Sequence, residues 1–223
     1  NVSLKYSGGG DNTLTGISFS VMPGETVGVI GGTGSGKTSL VSLIPRFYDA
    51  TVGEVLINGI NVKEYTEDSL KKKVAVVMQK AMLFKGTIRD NMKWGDADAS
   101  DEDILEALRV SQSLEFVEKK QGKLDAFIDQ QGKNLSGGQK QRLNIARALV
   151  RKPDILILDD SASALDYATD AALRNAISNL NPAPTLFIVS QRAASLMHAD
   201  KIIVLDDGEM VGIGTHEELL AGC

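Results

Sequence analysis

The segment Gly31-Gly32-Thr33-Gly34-Ser35-Gly36-Lys37-Thr38 constrains this chain more than any other. It fits G-x-x-x-x-G-K-[ST], a loop whose backbone N–H groups cradle phosphate oxygens. The motif needs a strand before it and a helix after it. Val27–Ile30 is an apolar run that reads as a strand, and Ser39–Ile44 reads as a helix. The glycines let N–H groups turn inward, and the new helix presents its positive end. Lys37 can reach the β- and γ-phosphates, and the Thr38 hydroxyl can ligate Mg²⁺. A plain glycine-rich turn is the alternative reading, but it does not account for Lys37-Thr38 in register behind a strand.

The rest of the pattern alternates short strands with helices. Candidate strands are Ile17–Val21, Val27–Ile30, Glu54–Ile57, Val74–Met78, Ile155–Leu158, Thr185–Val189 and Lys201–Leu205. Val2–Tyr6 reads as a further strand, followed by the turn Gly8–Asp11. Several runs are rich in Val, Ile and Leu without polar alternation, as in strands buried on both faces. Asn58-Gly59 and Asp207-Gly208 read as turns, the first within a hairpin. Residues 87–150 differ, with few strand signals and several helical ones. Asp101 can cap a helix carrying Ile104, Leu105 and Leu108. Ser136 can cap another, with Gln139 at the capping-box offset, and Pro153 follows its end. Thr215 and Glu218 form the same box before a last short helix. The expectation is an α/β P-loop NTPase with a RecA-like core, an antiparallel β edge formed by the early strands, and an inserted helical subdomain. Residues 1–86 and 151–223 form the core with its β subdomain, and residues 87–150 the insertion.

Composition narrows the function. The chain has 223 residues, enough for one large domain with a subdomain, and 43% are hydrophobic, enough for a full core. A net charge of -5 argues against a primary nucleic-acid binder. The apolar runs are too short to span a bilayer. No signal peptide is visible, and the lone Cys223 forms no internal disulfide, which suits a reducing compartment. The abrupt opening on a strand leads us to expect that a longer polypeptide was cut here.

A P-loop needs a carboxylate on the far side of Mg²⁺. Ile155-Leu156-Ile157-Leu158-Asp159 supplies one, an apolar strand ending in an acid. Leu135-Ser136-Gly137-Gly138-Gln139 adds a second anion site at a helix N-terminus. With these motifs the chain resembles, over nearly its whole length, the ATPase domains of ATP-binding cassette (ABC) transporters. Arg46-Phe47-Tyr48-Asp49 and Leu83–Asn91 look like the exporter branch.

The resemblance implies a set of roles. ATP is held by Gly31, Gly32, Thr33, Gly34, Ser35, Gly36, Lys37, Thr38 and Ser39, with adenine stacked on Tyr6. Mg²⁺ is held by Thr38, Gln79 and Asp159. Ser136, Gly137, Gly138 and Gln139 form the signature motif, and Ser163–Asp166 the loop that crosses to a partner. Two such domains sandwich two ATP molecules, each P-loop facing the other domain's signature. The implied setting is the cytoplasmic face of the cell membrane, with a transmembrane domain that this chain lacks.

Two positions depart from the family pattern. Active members place Glu after the strand-end Asp, to polarise the attacking water; this chain has Asp160, one methylene shorter. The switch histidine is replaced by Gln191, which carries no charge and relays no proton at neutral pH. His198 and His216 lie outside the required motif. Residues 129–134 depart as well, in the loop before the signature. Asp160, Gln191 and Gln79 are thus the candidate catalytic positions, the first two degenerate. The pattern resembles the weak-site half of a heterodimeric exporter. The alternatives are a soluble ABC ATPase that is not a transporter and a nucleotide-gated regulatory module.

Overall fold

Strands of unbroken Val, Ile and Leu are stable only with both faces covered. The computed structural model describes residues 1–8, 10–161 and 163–222. The first half contains β1 (Val2–Leu4), β2 (Leu14–Ile17), β3 (Thr26–Gly31), α1 (Lys37–Ser42), β4 (Leu56–Ile57), β5 (Ile60–Asn61), α2 (Glu67–Lys73) and β6 (Val74–Val77). The middle contains β7 (Gly86–Thr87), α3 (Ile88–Lys93), α4 (Asp101–Val110), α5 (Leu114–Glu118), β8 (Phe127–Ile128) and α6 (Gly137–Leu149). The last part contains β9 (Ile155–Asp159), α7 (Tyr167–Ser178), β10 (Thr185–Val189), β11 (Lys201–Asp206), β12 (Glu209–Gly214) and α8 (His216–Ala221). The turn expected through Gly9 and the thiol of Cys223 lie outside the described residues.

The central sheet has six strands in the order β12-β11-β3-β10-β9-β6. Five run parallel, and β12 is antiparallel to β11. This is the α/β fold of a P-loop NTPase with a RecA-like core. The early strands do pair antiparallel, but as a separate two-stranded sheet, β1 with β2. The antiparallel edge of the central sheet itself is the late strand β12.

Alternate residues feed two hydrophobic clusters. On one face Val77, Leu156, Leu158, Leu186 and Ile188 join Ile104, Leu108, Leu143 and Ile145 from the helical insertion. On the other, Val27, Val29, Ile157, Phe187 and Val189 pack on Leu40 and Leu43. The insertion therefore covers one sheet face and shares its core. Within it, β7 and β8 make one small antiparallel pair. No helix among the described residues is long and apolar enough to cross a membrane.

Three local expectations shift. The strand expected at Ile17–Val21 forms earlier, at Leu14–Ile17, where Leu14 and Ile17 bury fully against β1. Ser100, not Asp101, caps α4, because Asp103 lies three residues beyond Ser100 and completes a capping box. The helix after the P-loop opens at Lys37, two residues before the expected start.

Candidate functional site

Strand order decides which residues meet. The carboxyl ends of β3, β10, β9 and β6 are successive neighbours, and each carries one part of the candidate site. The P-loop leaves β3, Gln191 follows β10, Asp159 and Asp160 end β9, and Gln79 follows β6. Ligands of open α/β sheets gather at such strand ends.

Two glycines make the P-loop possible. Gly36 sits at φ 94°, a conformation disfavoured for side chains with a Cβ, directly before α1. A Cβ on Gly31 would meet the Leu205 carbonyl oxygen at 2.2 Å and Ser35 Oγ at 2.4 Å. The loop is closed from the chain's last hairpin, where Gly208 N–H donates to the Ser35 carbonyl at 3.3 Å. Lys37 Nζ donates to the carbonyls of Gly31 at 2.9 Å and Gly32 at 2.6 Å. Its ammonium therefore lies against the loop itself.

Thr38 Oγ1 donates to Asp159 Oδ1 at 3.2 Å, joining α1 to the end of β9. Burial pushes the Asp159 carboxyl above its ordinary value; the Thr38 hydrogen bond and Lys37 oppose the rise, and the adjacent Asp160 charge adds to it. Asp160 follows at φ 46°, in the left-handed region. Its N–H donates to the Val189 carbonyl at 2.9 Å, and Gln79 Nε2 donates to its Oδ2 at 2.7 Å. Ser190 N–H donates to the Val29 carbonyl at 3.1 Å. That bond seats the exposed Gln191 between the strand carrying the P-loop and the strand carrying the two acids.

Tyr6 is half-buried beside the P-loop helix, its hydroxyl donating to Ser39 Oγ at 2.9 Å. Tyr48 packs edge-on against it, with ring centroids 4.7 Å apart and planes at 82°. Sequence reading gave Tyr48 no role of its own, since residues 6 and 48 share no local periodicity.

Ser136 stands apart from this constellation. Its Oγ accepts from Gln139 N–H at 3.2 Å, and Gln139 Oε1 accepts from Ser136 N–H at 3.1 Å, so it caps α6 as expected. Ser136 and Gly137 are exposed, and among the described residues no hydrogen bond links Ser136, Gly138 or Gln139 to the P-loop. Gly138 instead lies near the Ala164 carbonyl, which a Cβ there would meet at 3.3 Å. His198 is exposed and His216 begins α8, both outside the strand-end site.

The residues present fit a magnesium nucleotide. A Cβ on Gly32 or Gly34 would find nothing within 4 Å, so a phosphate can approach the backbone there. A buried carboxyl raised by desolvation gains from a cation beside it. Among the described residues no group of three His, Cys, Asp or Glu could hold a metal ion. Thr38 and Asp159, already hydrogen-bonded to each other, would supply oxygens to a cation that takes the rest of its ligands from its own nucleotide and water, the usual manner of Mg²⁺.

Comparison with known proteins agrees with this geometry. A family model described as "ABC transporter" matches residues 14–163. A putative multidrug export ATP-binding/permease protein of Bacillus subtilis, YgaD, is 42% identical over 220 residues, covering 99% of this chain and 38% of the relative. A putative multidrug export ATP-binding/permease protein of Staphylococcus aureus is 40% identical over 221 residues, with the same two coverages, 99% and 38%. Among solved structures, a bacterial Atm1-family ABC exporter with ATP bound superposes with a TM-score of 0.93 at 32% identity. That match covers 100% of this chain and 39% of the exporter chain. The chain thus spans 38% of the length of these curated relatives.

Proposed function

Since this chain belongs to the ABC transporter family, we propose that it is the ATP-binding motor domain of an exporter, with a weak hydrolytic site of its own. In this reading it drives export from the cytoplasmic face of a membrane, coupled to a transmembrane domain and paired with a second, different ATPase domain. Lys37 and the N–H groups of residues 32–38 hold the β- and γ-phosphates. Tyr6 stacks on adenine. Thr38, Asp159 and Gln79 hold Mg²⁺, which neutralises phosphate charge when bound.

One observation carries the reading. The P-loop and the Thr38–Asp159 pair lie at the same strand ends as a short acid at 160 and an uncharged amide at 191. General-base catalysis depends on placement at the ångström scale. A carboxylate one methylene short, already accepting from Gln79, is poorly placed to polarise water. The signature Ser136, exposed and unattached to its own P-loop, is free to meet a γ-phosphate bound on the partner, where charge shifts during transfer.

Two variants in the complete transporter test this. Ser136→Arg should abolish most ATPase activity, because it fills the interface at the partner's active site. Lys37→Ala, confined to the weak site, should reduce activity less. Greater damage from Lys37→Ala would mean that the working site belongs to this chain.

A further inference from the structure

One side-chain hydrogen bond joins the ends of β6 and β9, and it involves Asp160, one of the two positions read from sequence as departing from the family pattern. Gln79 Nε2 donates to Asp160 Oδ2 at 2.7 Å. An ionised carboxylate only accepts, so the amide must turn its NH₂ group toward Asp160 and keep Oε1 as its free acceptor.

The two ends of this bond are held unequally. Asp160 is fixed through its main chain. Its N–H reaches the Val189 carbonyl at 2.9 Å, and its carbonyl accepts from Ser163 Oγ at 2.9 Å. Gln79 is the second residue of an irregular segment that runs from Met78 to β7. That segment is tied at its start, where Gln141 Nε2 of α6 donates to the Met78 carbonyl at 3.3 Å. It is tied again near its end, where Asn91 donates to the Phe84 carbonyl and accepts from Phe84 N–H, both at 2.9 Å. Between these ties Leu83 is buried in the core, and among the described residues the Gln79–Asp160 bond is the side-chain hydrogen bond from this stretch to the strand ends.

We propose that Asp160 is a positioning residue for Gln79: its carboxylate fixes the amide and, through it, the course of residues 79–82, up to Leu83, which is held in the core. The short side chain is thereby given a use beyond failing as a base. The bond orients Gln79 with its oxygen available to a cation before nucleotide arrives. That last clause rests on the reading of the site as one for Mg-ATP; the anchoring of the segment does not.

The bond is solvent-accessible, so its net worth lies in the ordinary range for one hydrogen bond. That corresponds to a roughly 2- to 10-fold shift in an opening equilibrium. A nitroxide on a cysteine introduced at the exposed Met82, with Cys223→Ser, reads the ratio of mobile to ordered segment in the nucleotide-free protein. Asp160→Ala should raise that ratio by about that factor. Asp160→Asn keeps an acceptor oxygen and should stay near wild type. Gln79→Ala removes the other end and should match Asp160→Ala, and combining the two should add nothing. Manganese–ATP binding, read by electron paramagnetic resonance of the unlabelled protein, should weaken in Asp160→Ala more than in Asp160→Asn. If Asn behaves like Ala, charge and not the hydrogen bond matters, and the proposal is overturned. An unchanged ratio in both Asp160→Ala and Gln79→Ala overturns it too. If wild type binds no manganese–ATP, the nucleotide reading fails, while the spin-label series still decides the anchor.

Discussion

Asp159 is buried with its carboxyl raised, and the sign of its effect on stability follows. A group that holds its proton more tightly when folded lends stability below the ordinary carboxylate range and loses it as pH rises through the raised value. At neutral pH the ionised, nucleotide-free site is therefore a cost. Asp159→Asn keeps an acceptor for Thr38 and removes the charge. It should raise the neutral-pH Tm of the nucleotide-free protein, at about 2–4 °C per kcal/mol relieved for a chain of this size. The gain should shrink as pH falls, and the stabilisation conferred by Mg-ATP should drop with it. Thermal melts at several pH values, with and without Mg-ATP, check both signs. At the neighbouring positions, on the proposed reading, Asp160→Glu restores reach and Gln191→His restores the switch contact. The double reversion should raise turnover at the proposed weak site more than either single change, since such groups act as a unit. The assay uses the full transporter with the partner's own site disabled; a flat rate with ATP still bound would sink the proposed degeneracy. The P-loop was legible because its parts are contiguous. The Gln79–Asp160 bond was not, because it spans two strand ends 81 residues apart in sequence.

Element boundaries depended on how local their signals were. β9 and β10 were plain from unbroken apolar runs, and β10 is buried throughout. β12 was missed, since Glu209–Gly214 carries two glycines and alternates between exposed and half-buried positions. The cap of α4 was readable in hindsight: Ser100 has an acid three residues on, and Asp101 has Ile104. Ser100→Ala should cost about 1 kcal/mol, as cap removals typically do. That is a Tm loss of about 2–4 °C. Asp103 adds a pH term. Its bonds to Lys152 and to Ser100 hold its carboxyl down to about 2. The stability it lends is complete above the unfolded carboxylate value of about 3.9 and disappears as pH falls through about 2. The deficit of Asp103→Asn should therefore be constant from neutrality to about pH 4 and close below it, as read from urea midpoints.

On the scale of the whole molecule, the shared core predicts that the helices of residues 87–150 and the sheet should melt as one unit. Leu143 of α6 is fully buried in the cluster that also holds Leu156 and Ile188. Leu143→Ala should cost about 2–5 kcal/mol and leave a single calorimetric transition at lower temperature. Two separated transitions would show that the insertion has a core of its own. The same integration explains why residues 87–150 could be recognised as helical from sequence while their docking could not. Periodicity shows which helix face is apolar, not which face of a sheet receives it.

The position of β3 has a consequence for how the protein is made. Its two neighbours, β10 and β11, both come after Pro184, and the hairpin that reaches Ser35 comes later still. Synthesis delivers the P-loop well before the strands that frame it. A nascent chain halted at Pro184 carries every P-loop residue, yet neither flanking strand nor the Gly208 contact exists to shape the loop. ATP capture should therefore wait until β10, β11 and the Gly208 turn have emerged, so that the nucleotide meets a framed loop rather than a growing one.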